Sequence, residues 1–300
     1  MSLSSLCVAA MATEDMRDTS SKSAAAFHQT LEVLKVHKPM VAMLENVKKL
    51  LSNKLYGGMK ALDYFREKFA ANGFAKLEAQ KCNTLRFLLP QCRNRVVLLG
   101  TRLPQLRNHL EMLHIFHSPP LVPAQALVEH QEPKKPTVDS SGWRWIAHHD
   151  AWAEENKLSA LDTFEKREAV LRAGKPWNDI CTQRERHLVL LHVAKLQRAR
   201  GAVSGLLMVD QEVHRTSVNR QWSPCITPNA RLLDLEAWRF LSAGSKAALQ
   251  GFQPSTLVRW GYQDSAKLSS HAGNAFPAVL ALLWWICALD ALATQEGCSA

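Results

Sequence analysis

The seven cysteines, at positions 7, 82, 92, 181, 225, 287 and 298, include no Cys-x-x-Cys pair. That spacing argues against a zinc ribbon and a disulfide framework, and it fits a reducing, intracellular compartment. The opening MSLSSLCVAAMATEDM has neither the basic start nor the long apolar run of a secretory signal. Long hydrophobic runs are also scarce. Phe276 to Leu289 stops at Asp290 and is shorter than the ~20 residues a membrane span requires, so a buried helix is expected and no membrane partner. His109, His114 and His117 offer His-x-x-His spacing, but no carboxylate or cysteine is placed to complete a ligand set, so no metal is expected. No internal repeat is visible.

What is present is an ordinary globular share of apolar residues, 47% of 300, enough for one large core or two modest ones. The net charge is +10 and the pI is about 9.4. Such an excess of Lys and Arg suits a polyanionic partner, nucleic acid or an anionic membrane surface, although a basic protein with neither is the plain alternative.

Residues 1–22 are rich in small and hydroxyl side chains without periodicity and read as an irregular start. Ala24 to His37 carries Phe27, Leu31, Val33 and Leu34 mostly on one helical face and ends at Lys38-Pro39. Met40 to Leu44 is a short apolar run, expected as a strand buried on both faces of a parallel sheet, with Glu45-Asn46-Val47 at its carboxyl end. Leu50 to Asn72 reads as one helix stopping at Asn72-Gly73, followed by strands over Phe74–Ala79 and Arg95–Gly100. This order belongs to an α/β sheet. Five prolines between residues 118 and 141 suggest a linker or extended loop, and Asp150 to Arg200 reads as mostly helical with a break at Gly174-Lys175-Pro176. Trp143 and Trp145 alternate onto one face, where core or interface packing is the expected use.

Two constellations suggest chemistry. Catalytic groups of open α/β sheets gather beyond the carboxyl ends of the strands, where Glu45 should lie; a solvated loop carboxylate is the alternative. Asn83-Thr84-Leu85-Arg86-Phe87-Leu88-Leu89-Pro90-Gln91-Cys92-Arg93-Asn94-Arg95 is followed directly by a buried strand and Gly100-Thr101-Arg102. Arg93 and Arg95, two residues apart in extended chain, point the same way and could grip a phosphate or orient a carboxylate with forked donors.

Taken together, Glu45-Asn46-Val47, Gln91-x-Arg93-x-Arg95, Leu249-Gln250-Gly251-Phe252 and Gly273-Asn274-Ala275 resemble, in order and spacing, four motifs of the DNA cytosine-5 methyltransferases. The resemblance implies methyl transfer from S-adenosylmethionine to cytosine C5 in DNA, in a partial Rossmann-like class I methyltransferase sheet with an inserted, mostly helical target-recognition region. On it, residues 23–102 are a partial catalytic α/β domain, 103–222 the target-recognition-like region, 223–293 the return to the catalytic domain and 294–300 a tail. It makes Glu45, Arg93 and Arg95 catalytic, Asn46 and Gln91 substrate-binding, and Gly273 and Asn274 cofactor-binding, with Gly273-Asn274 opening the last helix.

This sequence also departs from the family pattern. The glycine-rich cofactor motif and the Pro-Cys loop are missing, which implies a fragment, a diverged copy, or an enzyme completed by a second chain. Cys7 stands 38 residues before Glu45, about where the family has its nucleophile, but between Leu6 and Val8 rather than Pro and Gln; it is either that nucleophile or a coincidence. Leu88 replaces a usual glycine, and Ser245 a common glutamate. The alternative to the enzyme is a non-catalytic DNA-binding relative. In a eukaryote either protein is expected in the nucleus.

Overall fold

The apolar run after Pro39 forms the strand on which the first half of the fold is built, in a computed structural model that describes residues 9–10, 22–55, 57–103, 116–120, 122–130, 144–158, 181–200, 203–259, 265–275 and 277–297. Two compact units result. The first comprises residues 1–88, 93–120 and 276–300, the second residues 89–92 and 121–275.

In the first unit a four-stranded sheet runs β1 (Ala9–Ala10), β2 (Val41–Val47), β4 (Asn94–Thr101), β3 (Lys76–Asn83). Only β1 and β2 are parallel; β4 is antiparallel to both β2 and β3. The parallel sheet expected from the apolar run is therefore corrected to a mixed one. An unbroken apolar strand reports burial on both faces and is silent about the direction of its neighbours. The start, expected to be irregular, contributes β1.

Helix α1 (Lys22–His37) and helix α2 (Ala61–Ala71) cover one face. Phe27, Leu31 and Leu34 of α1 and Tyr64, Phe65 and Phe69 of α2 pack on Ala42, Leu44, Val96 and Leu98. The rings of Phe27 and Phe65 stack with centroids 3.9 Å apart, and truncating either to alanine would cost about 3–5 kcal/mol. The alternate residues Val41, Met43, Val97 and Leu99 face the other way, onto Leu280, Trp284, Cys287 and Ala288 of the last helix, α8 (Ala278–Gly297). The expected helix is thus found, buried on this face, while Leu282, Ile286 and Leu289 on it are exposed. No single helix among the described residues is long and apolar enough to cross a membrane.

Leu50 to Asn72 is not one helix. A 3-10 turn at Lys48–Leu51 and a loop precede α2, because Gly57 and Gly58 take left-handed φ values of +82° and +86° that interrupt the helical path. Arg102 then clasps the far edge. Its Nε donates to the Pro39 carbonyl at 3.0 Å and its guanidinium lies 4.5 Å from the Phe74 ring centroid, tying the entry of β2 to the turn after α2.

The second unit holds an antiparallel sheet of β5 (Leu206–Met208), β6 (Leu232–Asp234) and β7 (Arg239–Phe240). Helices α3 (Arg144–Glu155) and α4 (Gln183–Arg200) bury Trp152, Leu188 and Leu191 against Leu207, Leu233 and Phe240. Helix α4 lies in the stretch expected to be helical from Asp150 to Arg200, whereas α3 begins six residues before it; Gly174-Lys175-Pro176 and Trp143 fall outside the described residues. Thr182-x-x-Glu185 is a capping box, with the Glu185 carboxylate accepting from Thr182 N at 2.9 Å and Thr182 Oγ1 accepting from Glu185 N at 3.2 Å. Glu185 also receives the Arg231 guanidinium. Helices α5 (Ala243–Leu249), α6 (Pro254–Arg259) and α7 (Ser265–Asn274) share the core of Ala243, Ala247, Leu257, Leu268 and Ala272. Gly273-Asn274 therefore closes α7 instead of opening the last helix, which begins after Pro277.

Candidate active site

Glu45 continues the Val41–Met43 row on the α8 side of the sheet and is 2% exposed. The register sets Glu45 opposite Val97 and Val47 opposite Arg95, so Arg95 is a diagonal neighbour of Glu45, within reach of a long side chain. Arg95 Nε lies 2.6 Å from Glu45 Oε1, and Arg93 Nη2 lies 3.5 Å from the same oxygen. Both contacts are made to Oε1. Two guanidinium groups on one carboxylate leave a formal +1 at the C-terminal end of β2. The arrangement orients a carboxylate and can offset negative charge developing on a bound group.

Arg93 is held from behind. Its backbone N–H donates to Thr84 Oγ1 at 3.1 Å and its carbonyl accepts from Thr84 N at 3.2 Å, closing the loop whose ends are β3 and β4. Thr84, fully buried, opens the same loop at Asn83-Thr84 and has no role assigned from the sequence, where nothing local marks it as buried. Within that loop Leu88 adopts φ +67°, the left-handed region in which the family's glycine would be unstrained.

Cys82 is opposite Arg95 in the β3–β4 register. Burial pushes its thiol up to about 12, so at neutral pH it is protonated and unsuited to nucleophilic attack. Cys7, the cysteine assigned to that role by position, lies outside the described residues.

Asn46, next to Glu45, is also buried, and its Oδ1 accepts from Val47 N at 2.8 Å. Gln91 belongs to the second unit, where its segment pairs with Ser223: Ser223 N donates to Pro90 O at 2.7 Å and Cys92 N to Ser223 O at 2.8 Å. The Gln-x-Arg-x-Arg motif thus contributes its glutamine to one unit and its two arginines to the other. Gly273 is buried, and a Cβ placed on it would meet Thr227 C and Pro228 N at 2.1 Å. The close approach this glycine permits in the Cβ direction is to the chain's own backbone. Asn274 is the last residue of α7. Ser245, at the place of a glutamate, is engaged: its N–H donates to the N-cap Ser242 Oγ at 3.0 Å, and its hydroxyl donates to Glu129 O at 3.1 Å. No group of three or more His, Cys, Asp or Glu suited to a metal occurs among the described residues; His109 and His114 lie outside them.

The family model for C-5 cytosine-specific DNA methylase matches residues 10–281. Among solved structures, the S. pombe Dnmt2 methyltransferase is similar at 13% identity and TM-score 0.49, over 94% of this chain and 76% of that one. The Entamoeba histolytica methyltransferase EhMeth follows at 9% and 0.44, over 96% and 77%. No curated protein matches. At such identities and scores the assignment rests on the family model.

Proposed function

Because the chain belongs to the C-5 cytosine-specific DNA methylase family, we propose that it serves methyl transfer from S-adenosylmethionine to cytosine C5 in DNA, inside the cell and, in a eukaryote, in the nucleus. The observation that carries the reading is the buried Glu45 at the end of β2, held by Arg93 and Arg95 through its Oε1. Cytosine C5 is a poor nucleophile until a thiolate adds to C6, and the base must leave the duplex to reach a buried carboxylate. Glu45 Oε2 then contacts ring N3 and the exocyclic amine, sharing a proton as charge develops. Arg95 lies toward the base O2, Arg93 keeps the carboxylate in place, and Asn46 and Gln91 are the residues assigned to substrate binding.

When bound, S-adenosylmethionine supplies the electrophilic methyl group. The residues of this chain assigned to it are Gly273 and Asn274, with Cys7 as the assigned nucleophile. Neither the glycine-rich motif nor the Pro-Cys loop precedes Glu45 in these 300 residues, so the proposal includes a further stretch of polypeptide, such as a second chain, that carries them. The sheet covered on both faces by α1, α2 and α8 supports a partial class I methyltransferase core.

Labelled S-adenosylmethionine and duplex DNA, offered to the purified chain with and without such a polypeptide, test the reading. Glu45→Gln, which keeps the side-chain shape, should lower transfer by about 10²-fold or more. Transfer indifferent to that change would remove Glu45 from the chemistry. DNA retention that weakens with salt, without transfer under either condition, would establish the non-catalytic relative, which the strained turn at Leu88 favours.

A further inference from the structure

Indole and imidazole rings meet where α3 packs on α4, beside the aliphatic core. Trp145, His149 and Trp152 recur at i, i+4 and i+7 on α3, and His187 and His192 come from α4. His149 Nδ1 is 3.1 Å from His187 Nδ1, and the Trp145 ring lies 5.0 Å from His149 and 5.4 Å from His187. Trp152 lies 4.7 Å from His192, centroid to centroid, with the Lys195 ammonium 5.0 Å from the indole centroid. His149 and His192 are almost fully buried, and His192 Nε2 has no hydrogen-bond partner among the described residues.

A 3.1 Å approach of two ring nitrogens is a hydrogen bond only if one carries a proton and the other a lone pair, so the pair holds while at least one of the two rings is neutral. If both rings were cations, two donors would face each other in an apolar seam. The groups facing His149 add to this. His187 and Arg184 of α4, His192 beyond them and His148 on its own helix are all cations or potential cations, and among the described residues no carboxylate contributes to the field at His149. Lys195 faces His192 in the same sense, opposed by a hydrogen bond with the Val213 backbone. This positive field also argues against a metal ion as the occupant of the histidine pair.

We propose that the α3–α4 seam is an acid-sensitive latch, closed while its histidines are neutral and opened by their protonation, so that the second unit loosens at mildly acidic pH before the first does. Burial, first, and the surrounding cations push His149 down to about 3, and burial with Lys195 pushes His192 down to about 4, from an ordinary 6.5. The sign follows from proton counts. Between these values and 6.5 the open state binds more protons than the closed one, so closure is fully stable above pH 6.5 and weakens as pH falls below it. Two such groups raise local opening about a hundredfold between pH 7.5 and 5.5.

Hydrogen exchange of the full chain, corrected for the intrinsic pH dependence of exchange, tests this. Segments 144–155 and 183–200 should lose protection about a hundredfold over that range while 22–37 and 61–71 keep theirs. A double substitution, His149→Phe with His192→Phe, should flatten the response. Protection of α3 and α4 that is constant to pH 5, or that falls in step with α1 and α2, would overturn the proposal, as would a folded double variant with the wild-type response. Should that variant not fold, ring signals of isotopically labelled histidine in the wild-type chain decide. Two buried rings still neutral at pH 5.5 support the latch; all rings titrating near 6.5 refute it.

Discussion

The two units place their buried charge differently. In the first, the sheet is lined on both faces by hydrocarbon, and the one buried acid paired with arginine among the described residues is Glu45, at the end of a strand. In the second, polar groups are spread through the interior: Glu185 with Arg231, His130 with Asp234, Lys246 with Ser269, and the histidine seam. Dispersed pairs each satisfy a local structural need such as a helix cap or a strand junction. A concentrated charge cluster in an otherwise apolar layer serves no such need, and this asymmetry directs attention to Glu45.

Substitutions can break or sharpen the contrast. The largest effect is expected at Glu45→Ala, which leaves Arg93, itself 2% exposed, and Arg95 without their carboxylate; a loss of about 3–5 kcal/mol should appear in denaturant unfolding. Glu185→Ala in the second unit should cost less, about 1.5–3 kcal/mol, because Arg231 is partly exposed and can turn to water. An equal or larger loss there would dissolve the contrast. Gly273→Ala forces backbone apart at Thr227 and Pro228 and should cost about 1–3 kcal/mol, read as a lower Tm. Leu88→Gly has the opposite sign. Relief of a left-handed leucine should stabilise the first unit by about 1 kcal/mol in the same unfolding experiment.

Much of the first unit was legible because its signals are local. The α1 stripe, the apolar β2 and β4 and the Asn72-Gly73 stop each depend on neighbours within a few residues, and each was found. The break at Gly57-Gly58 was overridden by helical spacing farther along, although two adjacent glycines were visible. Arg93 and Arg95 were expected to point together toward a carboxylate or phosphate; that the carboxylate is Glu45 depends on the β2–β4 register, which no local pattern encodes. The seam lay beyond reach for the same reason. His149 and His187 are 38 positions apart, and each alone resembles any histidine on an amphipathic helix. Gly273 shows a further limit. The sequence indicates that something comes close, and only the fold identifies it as the chain's own backbone.

The route of the chain through α8 has a consequence for the order of events on the ribosome. Val41, Met43, Val97 and Leu99 are made early, but the helix that covers them begins at Ala278, after the whole of segment 121–275 has emerged. At the usual pace of translation that interval is on the order of ten to thirty seconds. One face of the nascent sheet therefore waits uncovered while the later unit has every residue it needs, and a chaperone that recognises bare aliphatic strands would find its substrate in that window.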